Sequence, residues 1–397
     1  MDVFRKCTDY RESKMVKASG LYPFFHRIEE SCGSTVVCDG KKLVMTGSNN
    51  YLGLTHDPRV KEAAIEAIMR FGTSCTGSRF LNGNLAIHEE LEKRLAAFVG
   101  KQASLVFTTG FLTNLGAIGC ITNDGELILS DADNHASIAA GCMIAKGRTV
   151  IYKHNDPADC AIKMKENANG AGAVIITDGV FSMSGTIADL PGLVKVKGDR
   201  PGTRIYIDDA HGLGVIGRQG RGTADHFGLT EEVDLIMGTF SKSFASIGGF
   251  VAAEEEVIEF IRHKARSFMF SASMPAAAAA TILKCLDIIE SEPERFERLK
   301  RNVEKMLGGF RQMGLKTLPS ETPIISIFIG EELKTLKLAM ELFEKGVFAT
   351  PAVYPAVPYG QALIRTSYMA THTDEDLDFV LNVFSDLAPK YGLARSA

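Results

Sequence analysis

The segment Val233-Asp-Leu-Ile-Met-Gly-Thr-Phe-Ser-Lys242-Ser-Phe-Ala-Ser-Ile-Gly-Gly249 passes from an apolar run into small and hydroxyl-bearing residues. Residues 235–237 read as a buried strand, so Lys242 stands in the loop just beyond a strand end. A lysine there has few neighbours able to neutralise it. It can lose its proton more easily than a solvated lysine and form an imine. The hydroxyls of Thr239 and Ser241 are suited to meet a phosphate. Taken alone, such a lysine is more often an exposed loop residue, so its surroundings decide.

One strand earlier stands Arg204-Ile-Tyr-Ile-Asp208-Asp-Ala-His211-Gly. Asp208 ends a hydrophobic strand at the carboxyl edge, where α/β sheets bind ligands. An acid there can keep a pyridinium nitrogen protonated and make the ring an electron sink. By itself it reads equally well as a turn or cap residue. An acid at one strand end followed by a lysine at the next is what pyridoxal phosphate needs: a carboxylate for the ring nitrogen and an amine for the aldehyde. Two further strand ends agree. Thr108-Thr-Gly110-Phe111-Leu-Thr-Asn114 opens a helical stretch whose amides can cradle a phosphate. Asp131-Ala-Asp-Asn134-His135-Ala-Ser137 presents a flat imidazole that can stack on a pyridine ring, although a lone histidine is more often structural.

The organisation fits. Short apolar runs at 104–108, 127–129, 173–177, 204–207 and 235–237 alternate with helical stretches such as 58–70 and 88–99. This predicts an α/β fold with a mainly parallel sheet. Residues 1–45 read as an arm with a small hairpin, strands 34–38 and 43–46 around the turn Asp39-Gly40. A large domain is expected over 46–280. A smaller α+β domain is expected over 281–397, with helix over 275–314 and strands at 324–329 and 361–367.

Composition narrows the functional classes. The 397 residues carry 44 basic and 48 acidic side chains, a net charge of −4, which argues against nucleic-acid binding by bulk charge. The eight cysteines form no Cys-x-x-Cys pair, so reduced thiols and no metal site are expected. Residues 1–15 are charged throughout and lack the apolar core of a secretory leader, and the apolar stretch 272–283 is too short to span a bilayer. A cytoplasmic protein is expected, with peripheral contact at the inner membrane face left open. Gly212-Leu-Gly214-Val-Ile-Gly217 matches a dinucleotide fingerprint, but Arg218-Gln-Gly-Arg-Gly-Thr after it is poor helix material. His88-Glu-Glu-Leu-Glu92 lacks the second histidine of a zincin helix. Gly179-Val-Phe-Ser182 places its serine one position too far for a nucleophile elbow.

Together with Asn49-Asn-Tyr-Leu-Gly53, Cys75-Thr-Gly-Ser-Arg79-Phe-Leu-Asn-Gly83 and Arg365-Thr-Ser-Tyr-Met-Ala-Thr-His372-Thr, these segments resemble the α-oxoamine synthases over nearly the whole chain. The resemblance implies a fold-type I pyridoxal-phosphate-dependent transferase with a mainly parallel seven-stranded sheet. It implies that Lys242 holds the cofactor as an imine and then acts as general base. By the same resemblance, Asp208 pairs with the ring nitrogen, His135 stacks on the ring and His211 meets its phenolic oxygen. Gly110, Phe111, Ser182, Thr239 and Ser241 line the cofactor site, and Asn50 and Arg365 hold the amino-acid carboxylate. Homodimers with shared active sites are implied, with Ser271 and Ser273 reaching the partner's phosphate. The expected reaction is a decarboxylating condensation of an amino acid with an acyl-CoA. The lysine loop resembles members that join L-serine to a long-chain acyl-CoA, palmitoyl-CoA being expected. Gly179-Val-Phe-Ser182-Met leans toward members that take glycine and acetyl-CoA. The pimeloyl-taking synthases, an aminotransferase and a catalytically silent regulatory subunit are the other readings, and retention of Lys242 stands against the last. The apolar, proline-punctuated run 347–358 is a candidate lining for an acyl groove.

Overall fold

The computed structural model describes residues 2–198 and 200–393. The chain divides into two compact units, Asn49–Leu299 and the residues up to Ser48 together with those from Lys300 onward. In chain order the strands are β1 Ile28–Cys32, β2 Thr35–Cys38, β3 Lys41–Met45, β4 Ala103–Phe107, β5 Leu127–Asp131, β6 Arg148–Tyr152 and β7 Ala173–Asp178. They continue as β8 Thr203–Asp208, β9 Leu235–Thr239, β10 Gly249–Ala253, β11 Ile324–Gly330, β12 Val347–Phe348, β13 Thr350–Ala352 and β14 Ala362–Ser367.

The Asn49–Leu299 unit is built on a seven-stranded sheet of order β4-β10-β9-β8-β7-β5-β6. The pairs from β9 through β6 are parallel, and β10 runs antiparallel between β4 and β9. Strands covered on both faces read as continuous apolar runs, and β5, β7, β8 and β9 do so because nearly every residue in them is buried. The mainly parallel α/β sheet expected from the sequence is therefore present, and the five strands read there lie within a residue or two of their observed limits. Two strands were not read. β6 is an edge strand whose Arg148 and Ile151 are exposed, so its apolar signal is diluted. β10, Gly-Phe-Val-Ala-Ala, is made partly of poor strand formers and exists as the antiparallel return of β9. The core beneath the sheet gathers Leu105, Phe107, Ile118, Ile128, Ile176, Tyr206 and Met237 with Phe268.

The unit limits differ from the expected breaks at 46 and 281 for packing reasons. Helix Ala276–Ser291 lays its small residues Ala276 and Ala280 against Ala67 of helix Pro58–Phe71. Pro293 ends that helix, and Arg295 then donates to Asp57 Oδ2 at 2.9 Å and to the Leu52 carbonyl at 3.2 Å. Residues to 299 are thus held by the larger unit. At the other end, β3 pairs in parallel with β12, Val44 opposite Val347, so the amino-terminal hairpin completes a sheet of order β1-β2-β3-β12. Its turn has φ of +50° at Asp39 and +71° at Gly40, the left-handed pair that a two-residue hairpin requires.

In that second unit β11, β14 and β13 form an antiparallel sheet with Arg365 opposite Thr350. The run 347–358 thus begins as two short strands rather than as an open loop. Helix Asp374–Lys390 starts on a reciprocal cap between Thr373 and Asp376 and packs Phe384 on Phe310 at 5.1 Å. Before that cap sits His372, fully committed: Met369 N–H donates to Nδ1 at 2.9 Å, and Nε2 meets the Met45 carbonyl at 3.1 Å. A second ring proton would have to go onto Nδ1, against a donor. Burial lowers the His372 pKa from 6.5 to about 4. The unfolded chain therefore binds this proton more readily, so the stability present above pH 6.5 is lost as pH falls toward about 4. Denaturant unfolding at several pH values should show His372→Gln losing up to about 3 kcal/mol of that acid-side slope relative to the parent chain. Parallel profiles would show that His372 titrates normally.

Candidate active site

All of the parallel strands end at one edge of the sheet, and the chemistry collects there. A cavity of about 300 Å³ is lined by Gly110 and Phe111 after β4, His135 after β5, Asp178 and Ser182 at and after β7, Asp208 and His211 at and after β8, and Thr239, Ser241 and Lys242 at and after β9. Of the expected cofactor residues, only Ser271 and Ser273 lie elsewhere. They line a separate, much smaller cavity with Arg79, His88 and Thr108. Ser273 is buried, and its hydroxyl has no hydrogen-bond partner among the described residues. Asn50 is buried in the same unit and donates to Thr55 Oγ1 at 2.9 Å. Arg365 is buried on β14 of the other unit.

The positions follow from local structure. Helix Gly110–Cys120 begins directly after β4, and the Thr109 hydroxyl caps it by accepting the Leu112 N–H at 3.1 Å. Its free amides open on the cavity, which is an anion-binding arrangement. Gly110 cannot carry a side chain without disturbing this wall: a Cβ there would stand 2.7 Å from Thr239 Oγ1. Thr239 Oγ1 donates to the Gly248 carbonyl at 2.9 Å and meets Ser241 Oγ at 3.1 Å, which fixes the base of the lysine loop.

Asp208 is buried and gripped on both oxygens. Asn114 Nδ2 donates to Oδ2 at 2.6 Å and the Ala210 N–H to Oδ1 at 3.0 Å. Asp178 lies beside it in register on β7 and accepts the His135 N–H at 3.1 Å. Burial, then the charge of Asp208, pushes the Asp178 carboxyl well above the usual carboxylate range. His211 Nδ1 meets the Tyr51 hydroxyl at 2.7 Å.

The glycine pattern that mimics a nucleotide fingerprint has a different cause. The buried Asp209 carboxylate accepts both the hydroxyl and the N–H of Thr223, and the chain wraps it so closely that a Cβ on Gly212 or Gly222 would stand 1.9 or 2.0 Å from its oxygens. Burial pushes Asp209 up to about 7. Sequence reasoning missed Tyr51, Asp178, Ser137 as a lining residue and Asn114 as a partner of Asp208. Asp178 carried a signal that was available, an acid ending an apolar strand beside Asp208.

The contents of the cavity fit pyridoxal phosphate: a carboxylate for the ring nitrogen, an amine, an imidazole wall and a side-chain-free helix start with hydroxyls for the phosphate. The fold and this site define a fold-type I pyridoxal-phosphate-dependent transferase. The sequence model of aminotransferase class I and II matches residues 41–384. The chain belongs to that family and, within it, to the α-oxoamine synthases, which are acyltransferases. A serine palmitoyltransferase from Bacteriovorax stolpii is 52% identical over 375 residues, 94% of this chain and 89% of that protein. An 8-amino-7-oxononanoate synthase from Thermoanaerobacter pseudethanolicus is 41% identical over 388 residues, 97% and 98% of the two chains. The solved serine palmitoyltransferase from S. paucimobilis, with PLP and myriocin bound, matches with a TM-score of 0.94 at 32% identity, covering 99% of this chain and 100% of that one.

Gly110→Ala should force Thr239 aside and weaken pyridoxal phosphate binding by about tenfold, the cost of a modest overpacking. Equilibrium titration of the cofactor checks this, and unchanged affinity would show that the wall yields freely.

Proposed function

We propose that this protein condenses L-serine with palmitoyl-CoA, releasing CoA and carbon dioxide and forming 3-ketodihydrosphingosine. The observation that carries the reaction class is the meeting of Lys242, Asp208 and His135 on one cavity. Serine and a long acyl chain are supported by the greater similarity to serine palmitoyltransferases than to 8-amino-7-oxononanoate synthases.

When bound, pyridoxal phosphate supplies an electron sink for negative charge at the α-carbon of the amino acid. Lys242 would tether it through its amine, and its Nζ would be the acceptor for the α-proton of the amino acid. Asp208, oriented by its two donors, would keep the ring nitrogen protonated, with His135 against the ring face and His211 at the phenolic oxygen. The amides of Gly110 and Phe111 and the hydroxyls of Thr239 and Ser241 would take the phosphate, with Ser182 on the cavity wall. Arg365, whose planar guanidinium suits bidentate pairing, would take the carboxylate of serine together with Asn50. Ser271 and Ser273, which line a separate small cavity, would serve the partner's phosphate in a homodimer. Among the described residues no helix is long and apolar enough to cross a membrane.

Two outcomes follow. With serine held constant, kcat/KM should climb with acyl-CoA length from about C4 to about C16, because each methylene that enters a groove contributes up to about 0.8 kcal/mol. A preference for glycine with acetyl-CoA, or for pimeloyl-CoA, would replace this reading by that of another α-oxoamine synthase. Lys242→Ala should lower turnover by at least about 10²–10⁴-fold, the contribution of a general base. Mixing it with a Ser271→Ala, Ser273→Ala variant should restore part of the activity in heterodimers. Absence of complementation from verified heterodimers would show that each site is complete in one chain.

A further inference from the structure

A side chain that donates to Asp208 is itself the centre of a buried network. Asn114, on helix Gly110–Cys120, is fully buried and makes three side-chain hydrogen bonds. Its Nδ2 donates to Asp208 Oδ2 at 2.6 Å and to Ser137 Oγ at 2.8 Å, and its Oδ1 accepts from the Tyr206 hydroxyl at 2.7 Å. Ser137 Oγ in turn lies 2.7 Å from His135 Nδ1, and the Ser137 N–H points at the same nitrogen at 3.2 Å.

Only one arrangement of protons satisfies all of these bonds. The amide must turn its NH₂ toward the carboxylate, since the reverse would set two oxygens against each other. Its Oδ1 then needs the Tyr206 O–H. Tyr206 is completely buried, and burial together with the Asp208 charge raises its phenol well above its ordinary range, so it remains a donor. Both amide hydrogens are spent on Asp208 and Ser137. Ser137 Oγ is therefore an acceptor toward Asn114, and its own hydrogen goes to His135 Nδ1. That nitrogen accepts from Ser137 twice, so the ring proton is assigned to Nε2.

We propose that Asn114 is a positioning residue that sets both cofactor-facing groups at once: it holds the plane of the Asp208 carboxylate directly, and through Ser137 it holds His135 in the Nε2–H tautomer. Tyr206 locks the amide in the orientation that makes this possible. One amide thereby ties the group beneath the ring nitrogen to the group on the ring face, which come from strands two apart in the sheet. A residue that merely filled space would serve neither purpose. This inference rests on the pyridoxal phosphate site described above.

The test uses the holoenzyme and two readouts besides turnover: the equilibrium Kd for pyridoxal phosphate, and the ¹⁵N shifts of His135, which distinguish Nε2–H from Nδ1–H. Asn114→Leu removes all three bonds at similar volume. It should raise Kd about tenfold or more, since a buried hydrogen bond to a charged group is lost, and give His135 a mixed tautomer. Ser137→Ala cuts only the histidine branch and should disturb the His135 shifts while leaving Kd within about threefold, because the Asp208 bond is kept. Tyr206→Phe deletes one oxygen and frees the amide to turn. It should raise Kd by about threefold or more and carries the test if Asn114→Leu does not fold. Unchanged Kd and unchanged His135 shifts in Tyr206→Phe and in any folded Asn114→Leu would overturn the proposal. A parent chain that binds no pyridoxal phosphate would instead overturn the site reading on which it rests.

Discussion

Three carboxylates end neighbouring parallel strands with almost no water around them: Asp131 on β5, Asp178 on β7 and Asp208 on β8. Like charges this close are tolerated only where each is neutralised or supplied with donors. The loops at this edge take the conformations that meet the demand. Asp131 draws in the N–H groups of Asp133 and Asn155 and the His154 ring. Asp178 takes the His135 N–H. Asp208 takes Asn114 and the Ala210 N–H, and Asp209 behind it takes Thr223 twice. The need to satisfy buried acids therefore shapes the loops that present His135, His211 and the rest of the cavity.

The same edge shows why small residues crowd the loops. Asp209 leaves no room for a Cβ at Gly212 or Gly222, and Gly110 abuts Thr239. The first pair packs against a structural carboxylate, and the last stands at a helix start on the cavity wall. A glycine motif thus carries meaning only through what approaches it, and the dinucleotide pattern at 212–217 lacks the helix start that such a site requires.

Much of the fold was legible in one dimension. Strands buried on both faces leave unbroken apolar runs, and the residues at their carboxyl ends are the ones that can carry chemistry, so Lys242, Asp208, His135 and the Gly110 loop could be picked out as candidates by position. β6 and β10 were not legible. An edge strand needs only one apolar face, and a strand of Gly and Ala is a strand only because β9 and β4 lie on either side of it. The compact units divide at 48/49 and 299/300 for a similar reason. An alanine-rich helix does not announce its partner, and only packing assigns Ala276–Ser291 to helix Pro58–Phe71.

What the sequence by itself determined is the order of acid, histidine and lysine along alternating strands and helices, because the periodicity of burial is written residue by residue. What only the tertiary structure decided is which of them meet and in what protonation pattern. Asn114 and Tyr206 are unremarkable letters in a helix and a strand. They matter because the sheet register and the helix after β4 bring their side chains together with Asp208 and Ser137, and hydrogen bonds at 2.6–2.8 Å depend on that three-dimensional placement.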